Sequence, residues 1–332
     1  MSDEIARNHP PRLLVVVVNY RTPTLTIDCL RSLVGEVQSL PGIRVVVIDN
    51  ASGDASVEQI GTAIKTENWH DWASLLVSER NGGYSFGCNA GIRPALQSSN
   101  PPDYFLLLNS DTLVCPKALQ VLVDFMEQHP DVGIAGSCLE NPAGEPWLKA
   151  FRFPTVLSEL EAGLRLGVVS KLLSNWVVCR NMPEVPCQTD WVCGASMIVR
   201  REVFESVGLM DEGYFLWCEE KDLCLQAHRA GWLCWFVPQS RIIHIGGGGQ
   251  SRKMADENLR QYSSSHWFDS RRRYFVKNYG LLYTALADAA WIFGFTLWRI
   301  RRVIQRKPDT EPPNLLRNFI RHSVFLKGGG LN

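Results

Sequence analysis

Among the side chains that can ligate a cation, hold a ligand or carry a proton, six stand out by their place in the sequence: Asp49, Asp111, Glu219, Glu220, Asp222 and His244. Each also has a plain structural explanation. Asp49 with Ser52 and Asp54 reads as a polar turn. Asp111 could cap the helix that starts near Pro116, although the gap makes poor capping geometry. Glu219, Glu220 and Asp222 suit the first turn of a helix, where the dipole favours acids, and His244 on an apolar strand suits a core position. Their placement gives them chemical interest. The stretch "DYFLLLNSDT" (103–112) runs apolar and then stops on Asn109, Ser110 and Asp111, as a buried strand does where it emerges at a sheet edge. A carboxylate at such an edge is either a turn residue or a ligand-binding group.

The elements needed to bring these groups together follow from hydrophobic spacing. "RLLVVVVNY" (12–20) is a continuous β-branched run, and "TLTIDCLRSLVGEV" after it places Leu25, Cys29, Leu30, Leu33 and Val37 at helical spacing. "IRVVVIDNAS", "SLLVSERNGGYSFGCNAG" and "YFLLLNSD" repeat the strand pattern, with "SVEQIGTAI" as a short helix between the first two. This order predicts an α/β fold with a doubly wound, mainly parallel sheet and helices on both faces. Each strand ends in polar residues: Asn19 and Tyr20, Asp49 and Asn50, Asn81, then Asn109 to Asp111. The polar groups therefore collect at the carboxyl edge of the sheet, where open α/β folds bind ligands. Beyond the helix "PKALQVLVDFMEQ" the pattern loosens. "TDWVCGASMIVRREVFESVG" gives a strand and a helix, "EEKDLCLQAHRAG" a helix ended by Gly231, and "WFVPQSRIIHIGGGG" two short strands and a glycine run.

Composition narrows the class. At 332 residues, 45% hydrophobic and 20% charged, the chain is globular and long enough for one large or two ordinary domains. Its 34 basic and 34 acidic residues cancel, so no overall field draws it to nucleic acid. The ten cysteines form no C-x-x-C pair and read as buried reduced thiols of a cytosolic protein. The start, "MSDEIARNHPPR", has no apolar signal core, so a cytoplasmic protein is expected. The first strand is followed by "NYRTPTLT", with no glycine, and "NGGYSFGCNAG" matches neither the dinucleotide fingerprint nor the phosphate loop.

Six collinear segments, "VVVNY", "VVVIDNASGD", "NGGYSFGCNAG", "LLLNSDT", "DWVCGASMIVRREVFESVGLMDEGYFLWCEEKDLCLQAHRAGW" and "IIHIGGGG", resemble the inverting family 2 glycosyltransferases of GT-A fold, in particular their rhamnosyltransferase-like branch. The resemblance covers about Leu13 to Gly249. It implies a nucleoside diphosphate sugar donor and a divalent ion, magnesium or manganese, that neutralises the departing diphosphate. The metal-binding acidic motif stands as Asn109, Ser110, Asp111, so the resemblance makes Asp111 a metal ligand and His244 a second metal or diphosphate contact. The glycines 246–249 would approach phosphate through their amides. Asp49 matches the carboxylate that reads the nucleotide base, with Val17, Asn19 and Tyr20 lining the same pocket. Asn50, Asn89 and Ser110 belong to the same donor set, and Trp191 and Gly194 shape the sugar pocket. The catalytic base of the family is the Asp of an E-D motif; this chain has Glu219 and Glu220 there, so Glu220 is the expected base, with Glu219 or Asp222 as alternatives.

The implied division is a tail to residue 11, a glycosyltransferase domain at 12–255 with a nucleotide half (12–111) and an acceptor half (112–255), and a basic helical region at 256–332. In that region 281–300 is long enough to span a bilayer, but Asp288 lies near its middle, where insertion is costly. Thr284, Asp288, Arg299, Arg302 and Arg306 fall close to one helical face. An amphipathic helix lying on the inner face of the cell membrane is therefore expected, with Trp291, Phe295 and Trp298 as anchors, and a lipid-linked saccharide as acceptor in cell-surface polysaccharide synthesis. Two other readings are a nucleotide-sugar-binding protein without transfer activity, prompted by the altered E-D motif, and a nucleotidyltransferase, which lacks its usual glycine-rich start here.

Overall fold

A computed structural model describes residues 12–147, 149–245, 265–309 and 311–330. In chain order the elements are β1 (Leu13–Asn19), α1 (Pro23–Ser39), β2 (Ile43–Asp49), α2 (Ser56–Thr66), β3 (Ala73–Val77), α3 (Tyr84–Leu96), β4 (Tyr104–Asn109), β5 (Thr112–Val114), α4 (Ala118–Gln128) and β6 (Val132–Glu140). There follow β7 (Pro146–Trp147), β8 (Lys149–Phe151), α5 (Val156–Leu164), α6 (Gly167–Leu172), β9 (Cys179–Asn181), β10 (Cys187–Thr189), β11 (Ser196–Arg200), α7 (Arg201–Val207), α8 (Glu219–Arg229) and β12 (Leu233–His244). The C-terminal elements are α9 (Ser265–Ile304), α10 (Leu315–His322) and α11 (Val324–Lys327).

The sheet runs β10-β12-β6-β11-β4-β1-β2-β3. β3, β2, β1 and β4 are parallel neighbours, as are β6 and β12. β11 lies antiparallel between β4 and β6, a wedge that the spacing of apolar residues does not announce. The two faces of the strands feed two cores. Val15, Val17, Val45 and Val47 pack under α1, α2 and α4, while Val16, Val46 and Ile48 pack under α3, α7 and α8. That division follows from the alternation of side chains along a strand. Where two short strands are expected over 235–245, there is one, β12, with an irregularity between Val237 and Arg241, around Pro238, which cannot donate to a ladder. Of the ten thiols, Cys29, Cys88, Cys138, Cys218, Cys224 and Cys234 are buried, whereas Cys179 is exposed.

α9 is two helical arms joined at Gly280, whose backbone (φ +80°, ψ 172°) is open to glycine and poor for other residues. The second arm packs on α5 closely enough that a Cβ on Gly163 would stand 2.7 Å from the Trp291 carbonyl oxygen. Of the polar residues expected on one face, Thr284 and Asp288 point into the protein, whereas Arg299 and Arg306 are exposed. Asp288 is fully buried, accepts from Arg271 Nη1 (2.5 Å) and from the Val324 N–H (2.9 Å), and Arg271 also reaches Glu159 (2.7 Å). The expected membrane anchors are corrected accordingly. Trp291 and Phe295 are buried, with Phe319 stacked on Trp291 at 4.0 Å, and Trp298 lies half-buried against Arg165.

Candidate active site

A cleft of about 330 Å³ opens at the carboxyl edge of the sheet, lined among others by Val18, Tyr20, Thr22, Asn50, Tyr84, Asn109, Ser110, Asp111, Phe215 and Leu216. The chain builds its floor by doubling back. β5 pairs antiparallel with the end of β12, His244 opposite Thr112, and the Ile245 N–H donates to the Asp111 carbonyl at 2.8 Å. Asp111 Oδ1 therefore lies 3.2 Å from His244 Nε2 although 133 positions separate them (244 minus 111). Two ligands at right angles on an ion with bonds of about 2.1 Å stand about 3 Å apart, so this pair fits two neighbouring corners of one coordination sphere. Among the described residues no third His, Cys, Asp or Glu joins them. That count suits magnesium or manganese shared with phosphate oxygens and water, and does not suit a closed protein cage. The glycine run 246–249 lies outside the described residues.

The nucleotide side is built from the ends of β1 and β2. Asp49 is buried and its carboxylate is already satisfied: Oδ2 accepts from Asn19 Nδ2 (2.7 Å) and Ser52 Oγ (2.6 Å), and Oδ1 from the Ser52 N–H (3.0 Å). Asn19 in turn accepts from Thr26 Oγ1 (2.8 Å). Neither Asp49 nor Asn19 lines the described cleft; the neighbour Asn50 does. Asn50 donates from Nδ2 to Asn81 Oδ1 (3.0 Å) and to the Gly83 carbonyl (2.9 Å), which leaves Oδ1 enclosed and without a partner among the described residues. That enclosed oxygen is an unused acceptor next to the cleft. Val17 points into the core under α1, and Val18 faces the cleft in its place. Asn89, expected in the donor set, instead holds the loop before α8, donating to the Met210 carbonyl (2.8 Å) and Glu212 (2.9 Å). Trp191 is a core residue, stacked on Phe151 at 4.1 Å and donating to the Arg152 carbonyl.

One wall of the cleft is a clamp between α3 and the segment before α8. Gly83 (φ +88°) approaches so closely that a Cβ would stand 2.2 Å from the Phe215 carbonyl oxygen, and the Tyr84 N–H donates to that same oxygen at 2.8 Å. Trp217 and Cys218 both hold left-handed backbone (φ +67° and +69°), uncommon for two consecutive side-chain-bearing residues and typical of strain kept at a working site. They deliver Glu219 and Glu220 at the start of α8. Burial raises the pKa of Glu219 well above its ordinary value, and the neighbouring charge of Glu220 adds to this; burial raises Glu220 as well. The Oε2 atoms of both are enclosed with no hydrogen-bond partner among the described residues, although Glu220 as a whole is half-buried. Neither carboxylate lines the described cleft. Tyr84 does, its hydroxyl reaching the Gly194 carbonyl (3.4 Å), and Gly194 lies against the Glu220 side chain. Asp222 is committed elsewhere, to Lys277 Nζ (2.6 Å) and Asn278 Nδ2 (2.7 Å) on α9. Asp211 is held beside it: burial works to raise its pKa, but hydrogen bonds from Arg273 and Lys277 bring it down to about 2.

Comparison with known proteins gives one family model and several relatives. The model described as "Glycosyltransferase like family 2" matches residues 10–266. An N-acetylglucosaminyl-diphospho-decaprenol L-rhamnosyltransferase of Mycobacterium tuberculosis is 25% identical over 240 residues, 68% of this chain and 74% of that one. The dTDP-rhamnosyl transferase RfbF of Shigella flexneri is 24% identical over 271 residues, 81% of this chain and 79% of its own. Among solved structures, the mannosyltransferase PcManGT of Pyrobaculum calidifontis, in complex with GDP-Man and Mn2+, superposes with a TM-score of 0.56 at 14% identity, over 98% of this chain and 85% of its own. GalNAc-T7 with UDP, GalNAc and Mn2+ gives 0.55 at 15% identity over 95% of this chain, which spans 55% of that longer one. At such identities the structural likeness establishes the fold alone.

Proposed function

The chain belongs to glycosyltransferase family 2, with the GT-A fold, and is a glycosyltransferase; from that premise we propose that it is a metal-dependent inverting enzyme. In this reading it moves rhamnose from thymidine diphosphate to a lipid-linked saccharide in cell-surface polysaccharide synthesis, at the inner face of the cell membrane. The observation that carries the proposal is the meeting of Asp111 with His244 at 3.2 Å, beside a cleft that Asp111 and Asn50 line. The relatives, one named for a decaprenol-linked acceptor and one for a dTDP donor, support the choice of substrates.

Residues 12–111 hold the nucleotide and 112–255 the acceptor. Asn50 accepts the imide N–H of thymine, with Tyr20 beside it. Asp111 and His244 would hold a magnesium or manganese ion, which when bound would neutralise charge on the departing diphosphate. Glu220 takes the proton of the acceptor hydroxyl, and its enclosure behind Tyr84 and Gly194 keeps the base poorly solvated and its pKa raised. Asp222 positions α8 against α9 and takes no part in proton transfer. The test is release of thymidine diphosphate with and without acceptor, in the wild type, Glu219→Gln and Glu220→Gln. Release should fall by 10²-fold or more in Glu220→Gln, in line with the roughly 10²–10⁴ of general base catalysis, while donor binding is kept. Full activity in Glu220→Gln would remove it as the base.

A further inference from the structure

Thr284 and Asp288 on the second arm of α9 are buried, and among the described residues no element covers the opposite side. Leu282, Leu286, Phe293, Leu297, Ile300 and Ile304 are exposed there, at 84%, 60%, 60%, 40%, 53% and 76%. Their spacing of four, seven, four, three and four residues keeps them on one side of a helix over about 33 Å, at 1.5 Å per residue. Single exposed leucines are ordinary; a continuous apolar stripe of this length marks a surface that meets something.

Charge at the end of the stripe indicates what it meets. A groove between α9 and α10 is lined by Arg299, Arg317 and Arg321 together with Asn314, Leu316 and Ile320. No acidic side chain is among the described lining, and among the described residues none of these three arginines is in an ion pair. Arg306, Lys307 and Lys327 are exposed as well. We infer that this face docks in the plane of a bilayer carrying anionic phospholipid, the apolar stripe entering the boundary between headgroups and chains and the arginine groove taking a lipid phosphate.

A transmembrane placement would put the other side of the same helix in lipid. That side is packed on α5 and α10 and carries Asp288, whose partner Arg271, on the first arm of α9, also pairs with Glu159 of α5, so the second arm cannot be surrounded by hydrocarbon without breaking a buried ion-pair network. A two-fold contact between copies of this chain through the groove would bring its arginines towards each other, and the described groove lining has no acid to pair with them. The surface does not depend on the transfer reaction proposed above, so vesicle binding and donor turnover can fail separately.

The experiment is flotation of the full chain with vesicles of phosphatidylcholine alone and of phosphatidylcholine with phosphatidylglycerol, at low and high salt, with light scattering in the absence of lipid. Wild type should float with the anionic vesicles, less at high salt. Phe293→Glu with Leu297→Glu should lose both kinds of vesicle. Arg299→Gln, Arg317→Gln and Arg321→Gln combined should lose at least tenfold on anionic vesicles only, since each basic residue near such a surface is worth about fivefold in partitioning. A wild-type protein that stays with the soluble fraction overturns the inference whatever the variants do. So does a wild-type dimer that Phe293→Glu turns into a monomer without any vesicle contact.

Discussion

Asn50 follows β2 with its amide nitrogen committed to Asn81 and Gly83, so the group it has left for a ligand is its enclosed carbonyl oxygen. A base with an imide N–H completes that bond, whereas cytosine presents an acceptor at the same place and cannot. Thymidine diphosphate should therefore bind better than cytidine diphosphate, and Asn50→Ala should erase most of the difference, about tenfold for one lost hydrogen bond of roughly 1.5 kcal/mol. Competition binding checks this, and a preference that survives the substitution would move base recognition elsewhere. The glutamate pair makes a prediction of opposite flavour. Glu219 has a folded-state pKa above its ordinary 4.5, burial being the main cause. Below that value both the folded and unfolded carboxyls are protonated and nothing is lost; as pH rises above it the unfolded chain ionises first and stability falls. Glu219→Gln should thus raise Tm by more at pH 8 than at pH 5, in thermal melts of the ligand-free protein. At this scale the sequence marked the polar strand ends that gather at the cleft, but not which of their side chains line it. It marked Asp49 as the reader of the base, but the polar turn it was weighed against is what Asp49 forms, because Asn19 and Ser52 saturate its oxygens. Alternation along β1 could have separated Val18 from Val17; no pattern in the sequence connects Lys277 with Asp222.

Among the elements, the parallel half was legible because each strand is a continuous apolar run ending in polar residues, and each helix shows its spacing. The antiparallel β11 was not, since a strand buried on both faces reads alike in either direction. The clamp between α3 and the segment before α8 was also hidden, because it depends on backbone approach. It rests on Gly83, and Gly83→Ala must both hold a left-handed alanine and displace the Phe215 carbonyl. We expect a loss of about 2–4 kcal/mol in urea unfolding, with nucleotide binding abolished at temperatures where the protein is still folded. A variant with wild-type affinity would show that the wall of the cleft does not depend on this contact.

For the whole molecule, polar contacts fasten α9 to the domain, Arg271 with Glu159 and Lys277 with Asp211 and Asp222, while Arg271 with Asp288 ties its two arms together. Asp288, read from the sequence as a reason against a membrane span, is the centre of that attachment. Asp288→Ala leaves a buried guanidinium short of one partner and the Val324 N–H without an acceptor, and should cost about 3–5 kcal/mol in urea unfolding. A loss under about 1 kcal/mol would mean that α5 and α10 hold α9 by apolar packing alone. The account as a whole turns on Asp111 and His244 sharing an ion with the donor. Calorimetric titration of thymidine diphosphate tests this most directly, with manganese and with chelator, in wild type and Asp111→Asn. We predict binding that needs the ion in wild type and is at least tenfold weaker in the variant. Equal affinity in all four titrations would contradict it.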